Sequence, residues 1–251
     1  MKNNTRNKSM LFVANWKMQK TLDQSIQFVQ KHIDALKALN RQIILCPSFP
    51  ALYPLSQLLE NSSVFLGAQD CSPHELGAYT GQVSAQSLAE VGCTYCIVGH
   101  SERRNYNKES NSEIAQKATQ LLHQNIIPII CVGESQQEFE KKQSIDVLHN
   151  QLEPVFKVIE SQSSASTVCI AYEPIWSIGT GNVPDTQYLQ NIFDTLKEWC
   201  SAKTSKTKYT LLYGGSVTGE NIQQFYQVEN IDGFLVGGSS LDFQKLKKIV
   251  S

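Results

Sequence analysis

The chain lacks any apolar run approaching the roughly 20 residues that a helix needs to cross a bilayer, so no membrane partner is expected. It also lacks an excess of charge of one sign. There are 22 Lys and Arg against 23 Asp and Glu, a formal net charge of −1. A dedicated nucleic-acid binder needs a basic footprint, so no nucleic-acid partner is expected either. An anionic ligand would have to be held by a local site, because the molecule as a whole supplies no attracting field. The first ten residues are polar and basic, and Lys17 interrupts the apolar run that follows. Residues 1–10 are therefore expected to be a short disordered extension rather than a secretory signal. The seven cysteines are odd in number, in a chain too large to need staples. Cys46, Cys131 and Cys169 fall in or at the end of apolar stretches, the usage of reduced thiols in a cytoplasmic protein. Cys93 and Cys96 have ligand spacing, but no second pair stands nearby, and no metal is assigned. His32, His123 and His149 fall on helical stretches and are expected at the surface. His74 lies in a loop and is given no role.

What is present is regular alternation. The chain has 251 residues, 41 % of them hydrophobic, enough for one large α/β domain. Strand-like apolar runs recur at Leu11–Trp16, Gln42–Cys46, Val64–Ala68, Tyr95–Val98, Ile127–Cys131, Val168–Tyr172, Thr210–Tyr213 and Gly233–Val236. Between them lie segments with three- and four-residue apolar spacing. These predict helices over Asp23–Leu39, Ser112–Gln124 (with Asn111 as N-cap), Gln136–Glu160 and Thr186–Cys200. Strand and helix alternating eight times in about 250 residues is the rhythm of a single-domain (β/α)8 barrel, here spanning residues 11–251. A doubly wound open sheet would usually carry a glycine-rich turn after its first strand. Here that strand ends in Asn15-Trp16-Lys17.

The most informative segment follows the sixth strand. Tyr172 is followed by one carboxylate, Glu173, and then by Pro174, which cannot continue the pairing. Two bulky apolar residues, Trp176 and Ile178, come next, and Gly179 and Gly181 bracket Thr180. A carboxylate at a strand end, followed by an apolar flap with glycine freedom, describes a lid that strips water from a base. Polar residues also gather at the ends of the other strands, the face on which such barrels carry their sites. The first strand gives Asn15 and Lys17, and the fourth gives His100, Ser101 and Glu102. A helical turn starting at His100 would aim N–H groups at its ring and favour a neutral, hydrogen-bonding imidazole. The seventh strand gives Tyr213-Gly214-Gly215-Ser216, and the eighth gives Gly237-Gly238-Ser239. Glycines there let backbone N–H groups approach a phosphate closely.

Five blocks occur in one order along residues 11 to 250. They are Asn15-Trp16-Lys17, Gly99-His100-Ser101-Glu102-Arg103-Arg104, the Glu173 segment, Tyr213-Gly214-Gly215-Ser216-Val217 and Leu235-Val236-Gly237-Gly238-Ser239-Ser240-Leu241. Together they resemble the triosephosphate isomerase family. The resemblance implies interconversion of dihydroxyacetone phosphate and D-glyceraldehyde 3-phosphate through an enediolate, without cofactor or metal. It implies Glu173 as the base, His100 as the polarising and proton-donating group, and Lys17 as the charge that binds substrate and stabilises the enediolate. Asn15 would orient the first loop, and Glu102 would tune Lys17. Gly179, Ser216, Gly237 and Gly238 would meet the phosphate, with Ser101, Ile178 and Tyr213 in support. It also implies a cytoplasmic homodimer, with Thr80, Gln82 and Arg103 at the interface.

Two positions depart from the family pattern. Gln82 stands where a glutamate usually pairs with the partner's counterpart of Arg103, so a looser dimer is expected. Asn182-Val183-Pro184 ends the flap, and Pro184 has no N–H for the Tyr213 hydroxyl to latch. Pro184 could also simply occupy the first turn of the next helix. Two other readings stay open at this point. A sugar-phosphate epimerase barrel has no reason to carry Lys17, His100 and Glu173 in these contexts. A catalytically silent phosphate-binding barrel or scaffold would be favoured by loss of any one of the three, and all three are present.

Overall fold

Eight short apolar strands hydrogen-bond in chain order and close on themselves in the computed structural model, which describes residues 10–161, 165–179, 181–203 and 206–251. The strands are β1 (Leu11–Asn15), β2 (Gln42–Cys46), β3 (Val64–Ala68), β4 (Tyr95–Val98), β5 (Ile127–Val132), β6 (Ser166–Tyr172), β7 (Thr207–Tyr213) and β8 (Gly233–Val236). All neighbours are parallel, and β1 pairs with both β2 and β8. The helices run α1 (Leu22–Ala38), α2 (Leu52–Leu59), α3 (Ala85–Glu90), α4 (Ser101–Tyr106), α5 (Asn111–His123), α6 (Gln136–Glu140), α7 (Ser144–Ser161), α8 (Thr186–Ala202), α9 (Ile222–Phe225) and α10 (Phe243–Val250). This is the (β/α)8 barrel expected from the sequence.

Side chains alternate across each strand and so divide the core in two. Leu11, Val13, Ile44, Cys46, Ile97, Ile129, Cys131 and Leu212 belong to one buried cluster. Phe12, Ala14, Ile43, Leu45, Val98 and Ile130 belong to the other, shared with helix residues such as Val29, Leu121 and Leu152. The first fills the barrel; the second fills the layer between barrel and helices. All seven cysteines are buried free thiols. Among the described residues no helix is long and apolar enough to cross a membrane.

The structure corrects several local expectations. The expected single helix Gln136–Glu160 is two, α6 and α7, because Lys142 turns left-handed at φ 58°. Helix α5 is capped by Ser110, whose side chain and that of Glu113 satisfy each other's backbone N–H groups, and Asn111 is its first residue. Asn111 is used elsewhere. Pro154 inside α7 cannot donate to the carbonyl of Asn150, and Asn111 Nδ2 donates to that carbonyl instead at 3.1 Å. His32 is not a surface residue: it is half-buried and stacks on Phe243 with ring centroids 4.3 Å apart. Pro184 is buried and precedes Asp185, the N-cap of α8, so it lies outside that helix. Residues 1–9 of the expected extension, and Thr180 of the flap, lie outside the described residues. Met10, expected within that extension, packs against the core.

Candidate active site

The C-terminal ends of the strands enclose a cavity of about 340 Å³. Nine residues to which the resemblance gives a role line it: Asn15, Lys17, His100, Glu173, Ile178, Gly179, Ser216, Gly237 and Gly238. They come from the ends of β1, β4, β6, β7 and β8, so chain closure alone brings them together.

Glu173 and His100 form its floor, only 2 % and 6 % exposed. The Glu173 backbone is pinned by its own N–H, which donates to Val132 O at 2.7 Å. Its side chain passes so close to the β7 loop that a Cβ on Gly214 would lie 2.8 Å from Glu173 Cγ. The carboxylate receives the Ser101 N–H on Oε2 at 3.3 Å, and its Oε1 lies 3.2 Å from His100 Nε2. His100 is itself the N-cap of α4, and the Glu102 N–H donates to its Nδ1 at 3.2 Å. A donor facing Nδ1 requires a lone pair there, so the ring proton sits on Nε2, pointing at Glu173 and the cavity. Glu102 Oε2 stands farther off, at 3.6 Å, and its other oxygen is occupied by Lys17.

Lys17 adopts φ 51°, a conformation that costs a non-glycine residue about 1–2 kcal/mol. Its neighbours hold it there. Asn15 Oδ1 accepts the Lys17 N–H at 3.0 Å, and Gln69 Nε2 donates to Lys17 O at 2.8 Å and to Cys46 O at 2.9 Å. The ammonium reaches Glu102 Oε1 at 2.7 Å. Gln69 was not foreseen; its signal is a polar residue just past a strand end, as with Glu173.

Glu134, just past β5, was also missed. It is fully buried, and Trp176 Nε1 at 2.8 Å, Tyr172 OH at 3.0 Å and Tyr188 OH at 3.0 Å all donate to its Oε1. Burial pushes the Glu134 carboxyl above its usual range, and those donors pull the other way. The first turn of the flap is thus docked onto a buried carboxylate, with Phe139 packed on the Trp176 ring at 4.3 Å. Arg104 is a third unforeseen member. It donates to Gly99 O, Asn111 Oδ1 and Cys131 O, fastening the β4 loop to β5.

Tyr213 is buried, and burial pushes its hydroxyl up to about 12 while Ser177 acts in the opposite direction. Ser177 in turn donates to Asn182 O at 2.6 Å, so the two ends of the flap meet near this hydroxyl. The expected interface residues behave differently from one another. Thr80 is exposed. Gln82 accepts a hydrogen bond from Ser72 Oγ in its own chain. Arg103 is bound by Asp70 at 2.9 Å and by Glu109, and both carboxylates also hold Lys117. Arg103 is therefore paired within its own chain.

The sequence profile of triosephosphate isomerase matches residues 10–251, which include this whole constellation. The chain belongs to the triosephosphate isomerase family. It is 37 % identical over 244 residues to the triosephosphate isomerase of Dictyoglomus thermophilum, covering 96 % of this chain and 98 % of that one. It is 37 % identical over 248 residues to that of Aquifex aeolicus, with the same coverage. With the enzyme of Alkaliphilus metalliredigens it shares 38 % over 245 residues, again with 96 % and 98 % coverage. The activity is therefore that of a triosephosphate isomerase, interconverting dihydroxyacetone phosphate and D-glyceraldehyde 3-phosphate. The family and the activity expected from the five sequence blocks hold, and the epimerase and silent-scaffold readings fall away.

Proposed function

We propose that Glu173, His100 and Lys17 carry the isomerisation, and the observation behind this is the buried pair of Glu173 Oε1 and His100 Nε2, 3.2 Å apart under the cavity. Glu173 takes a proton from the carbon beside the substrate carbonyl. The electron pair left behind flows into that carbonyl and makes an enediolate. His100 Nε2–H and the Lys17 ammonium stabilise the charge on its oxygens. His100 passes its proton to one oxygen and recovers one from the other, and protonated Glu173 returns its proton to the neighbouring carbon. No atoms are gained or lost, and no cofactor enters.

The supporting residues follow from the same geometry. Asn15 holds the Lys17 backbone, Glu102 holds its ammonium, and the Ser101 N–H holds the Glu173 carboxylate on its Oε2. Gly179, Ser216, Gly237 and Gly238 supply backbone donors for the phosphate. Ile178 covers Glu173 when the flap closes, with Tyr213 beneath the flap ends. Excluding water keeps the charged enediolate from side reactions.

We also propose a homodimer within the cytoplasm, with residues 11–251 as one catalytic domain. Met18, Phe49, Leu76, Tyr79 and Tyr106 are exposed, Met18 to 94 % and Tyr106 to 83 %. They stand in the segments after β1, β2 and β3 and at the end of α4, which lie side by side around the rim. A second copy seated there would cover them, with Thr80, Gln82 and Arg103 alongside. The seven unpaired thiols support a reducing compartment. An assay on glyceraldehyde 3-phosphate tests the assignment. Glu173→Asp retracts the carboxylate by one methylene, and roughly 1 Å of misplacement costs about a hundredfold in rate. Near-normal turnover of that variant removes Glu173 from its role.

A further inference from the structure

Lys20 does not line the substrate cavity, yet its side chain joins two of the loops that do. Its Nζ donates to the carbonyl of Leu241 at 2.9 Å, across 221 residues of chain. Leu241 ends the short turn Gly238–Leu241, and Gly237 immediately precedes that turn. The turn is closed internally. Ser240 donates to Gly237 O twice, from its N–H at 2.8 Å and from its hydroxyl at 2.7 Å. A displacement of Leu241 O is therefore carried to Gly237 and Gly238 rather than absorbed between them.

The same ammonium is also held from its other side. Its ammonium lies 4.7 Å from the centre of the Phe28 ring and 5.4 Å from that of Trp16. Those rings meet edge to face at 5.0 Å, and both are buried. Ring faces attract a cation, and here they direct it toward the carbonyl. Burial pulls the Lys20 ammonium below its ordinary value, while Asp242 beside it acts in the opposite sense. Lys20 also sits three residues after Lys17 on the same loop. A Cβ on Gly237 would lie 3.6 Å from Lys17 Cε, so the two loops touch at the cavity wall as well.

We propose that Lys20 is a positioning residue for the phosphate end of the site, setting the distance between the Lys17 charge and the backbone donors of Gly237 and Gly238. This rests on the reading of those donors as phosphate ligands. Glu173 and His100 stand just past β6 and β4, away from this clamp, so its loss weakens binding of the phosphate and leaves the proton transfers alone.

The test is Lys20→Met, which keeps an unbranched stem on the two rings and removes the ammonium. Lys20 acts on the phosphate through Gly237 and Gly238 rather than touching it, so only part of the worth of its charge-assisted hydrogen bond is passed on, roughly a threefold to tenfold change in binding. We expect KM for glyceraldehyde 3-phosphate and the inhibition constant of inorganic phosphate to rise together by that factor, with kcat within twofold. Slow turnover of unphosphorylated glyceraldehyde should not change, and Lys20→Arg should restore most of the phosphate affinity. Should the Met variant fail to fold, Lys20→Gln gives the same readout. Unchanged KM and phosphate inhibition, an equal loss with the unphosphorylated substrate, or a fall in kcat at constant KM each overturns the proposal. Phosphate titration of 15N-labelled unmodified enzyme separates the two layers. If the Gly237 and Gly238 amides do not shift, the phosphate reading itself fails. If they shift, and the Lys20→Met variant titrates identically, only the role of Lys20 is lost.

Discussion

Gly214→Ala is a sharp test of how the base is placed. The added methyl carbon would sit 2.8 Å from Glu173 Cγ, while Tyr172 O at 3.4 Å and Leu235 Cβ at 3.5 Å already lie at ordinary contact. Carbon atoms rest at about 3.5–4.0 Å, so the two must separate by roughly 0.7–1.2 Å. The Cγ is not the free end of a flexible chain, so the carboxylate moves with it. The backbone of Glu173 is held by Val132 O, and the displacement falls on the side chain. A misplacement of roughly 1 Å is worth about a hundredfold in rate, so kcat should fall about 30- to 100-fold. That corresponds to about 2–3 kcal/mol of barrier. KM should stay within about threefold, because Lys17, Gly237 and Gly238 stand in the loops after β1 and β8. The assay is steady-state isomerisation of glyceraldehyde 3-phosphate, with thermal unfolding run in parallel. A kcat within about threefold of the unmodified enzyme refutes the reasoning. So does a loss accompanied by a large fall in melting temperature, since the strand rather than the side chain would then have yielded.

Other outcomes follow from the same geometry. Tyr213→Phe should cost little in kcat/KM, whereas in a Pro184→Ala background, where a backbone N–H is restored, it should cost about fivefold, the worth of one hydrogen bond of about 1 kcal/mol. A coupling energy of zero in the double-mutant cycle shows that no latch forms in either background. Gln82→Glu should change the dimer dissociation constant by less than about threefold in sedimentation equilibrium, since Arg103 already has Asp70 and Glu109; tightening beyond tenfold refutes this. Burial pushes the thiols of Cys93, Cys169 and Cys200 from 9.0 up to about 12. The unfolded chain releases those protons first, so the stability they represent is intact below pH 9 and is lost as pH rises toward 12. Each contributes up to about 1.4 kcal/mol per pH unit in that window. Urea midpoints at pH 8, 9.5 and 10.5 should fall progressively, and constant midpoints contradict the linkage.

The strands and their order were legible because each carries an apolar run, a pattern that buried parallel strands impose, and a polar residue or glycine closes it or follows within two positions. The residues at those ends were legible for the same reason. The helix boundaries were less so: Lys142 in a left-handed turn splits α6 from α7, and nothing in the apolar spacing marks it. Glu134 was illegible in a different way. Gly133-Glu134-Ser135 reads as an ordinary capped turn, and the partners that give the carboxylate its meaning lie 38 to 54 residues away. Gln69 and Arg104 are similar, since each serves backbone carbonyls that only the closed barrel brings near. Arg103 was legible only in part. The family pattern pointed to a second subunit, and its pairing with Asp70 and Glu109 in its own chain appears only once β3 and β4 are side by side.

That internal pairing of Asp70, Arg103, Glu109 and Lys117 has a consequence for how two copies would hold together. With these charges already neutralised inside each subunit, attraction between copies would come from apolar side chains such as Met18, Leu76, Tyr79 and Tyr106. Burial of apolar surface weakens on cooling, whereas ion pairs between exposed groups weaken with salt. The assembly should therefore be sensitive to cold and indifferent to ionic strength. Chilling a dilute solution, rather than adding salt, is then the natural way to obtain single subunits.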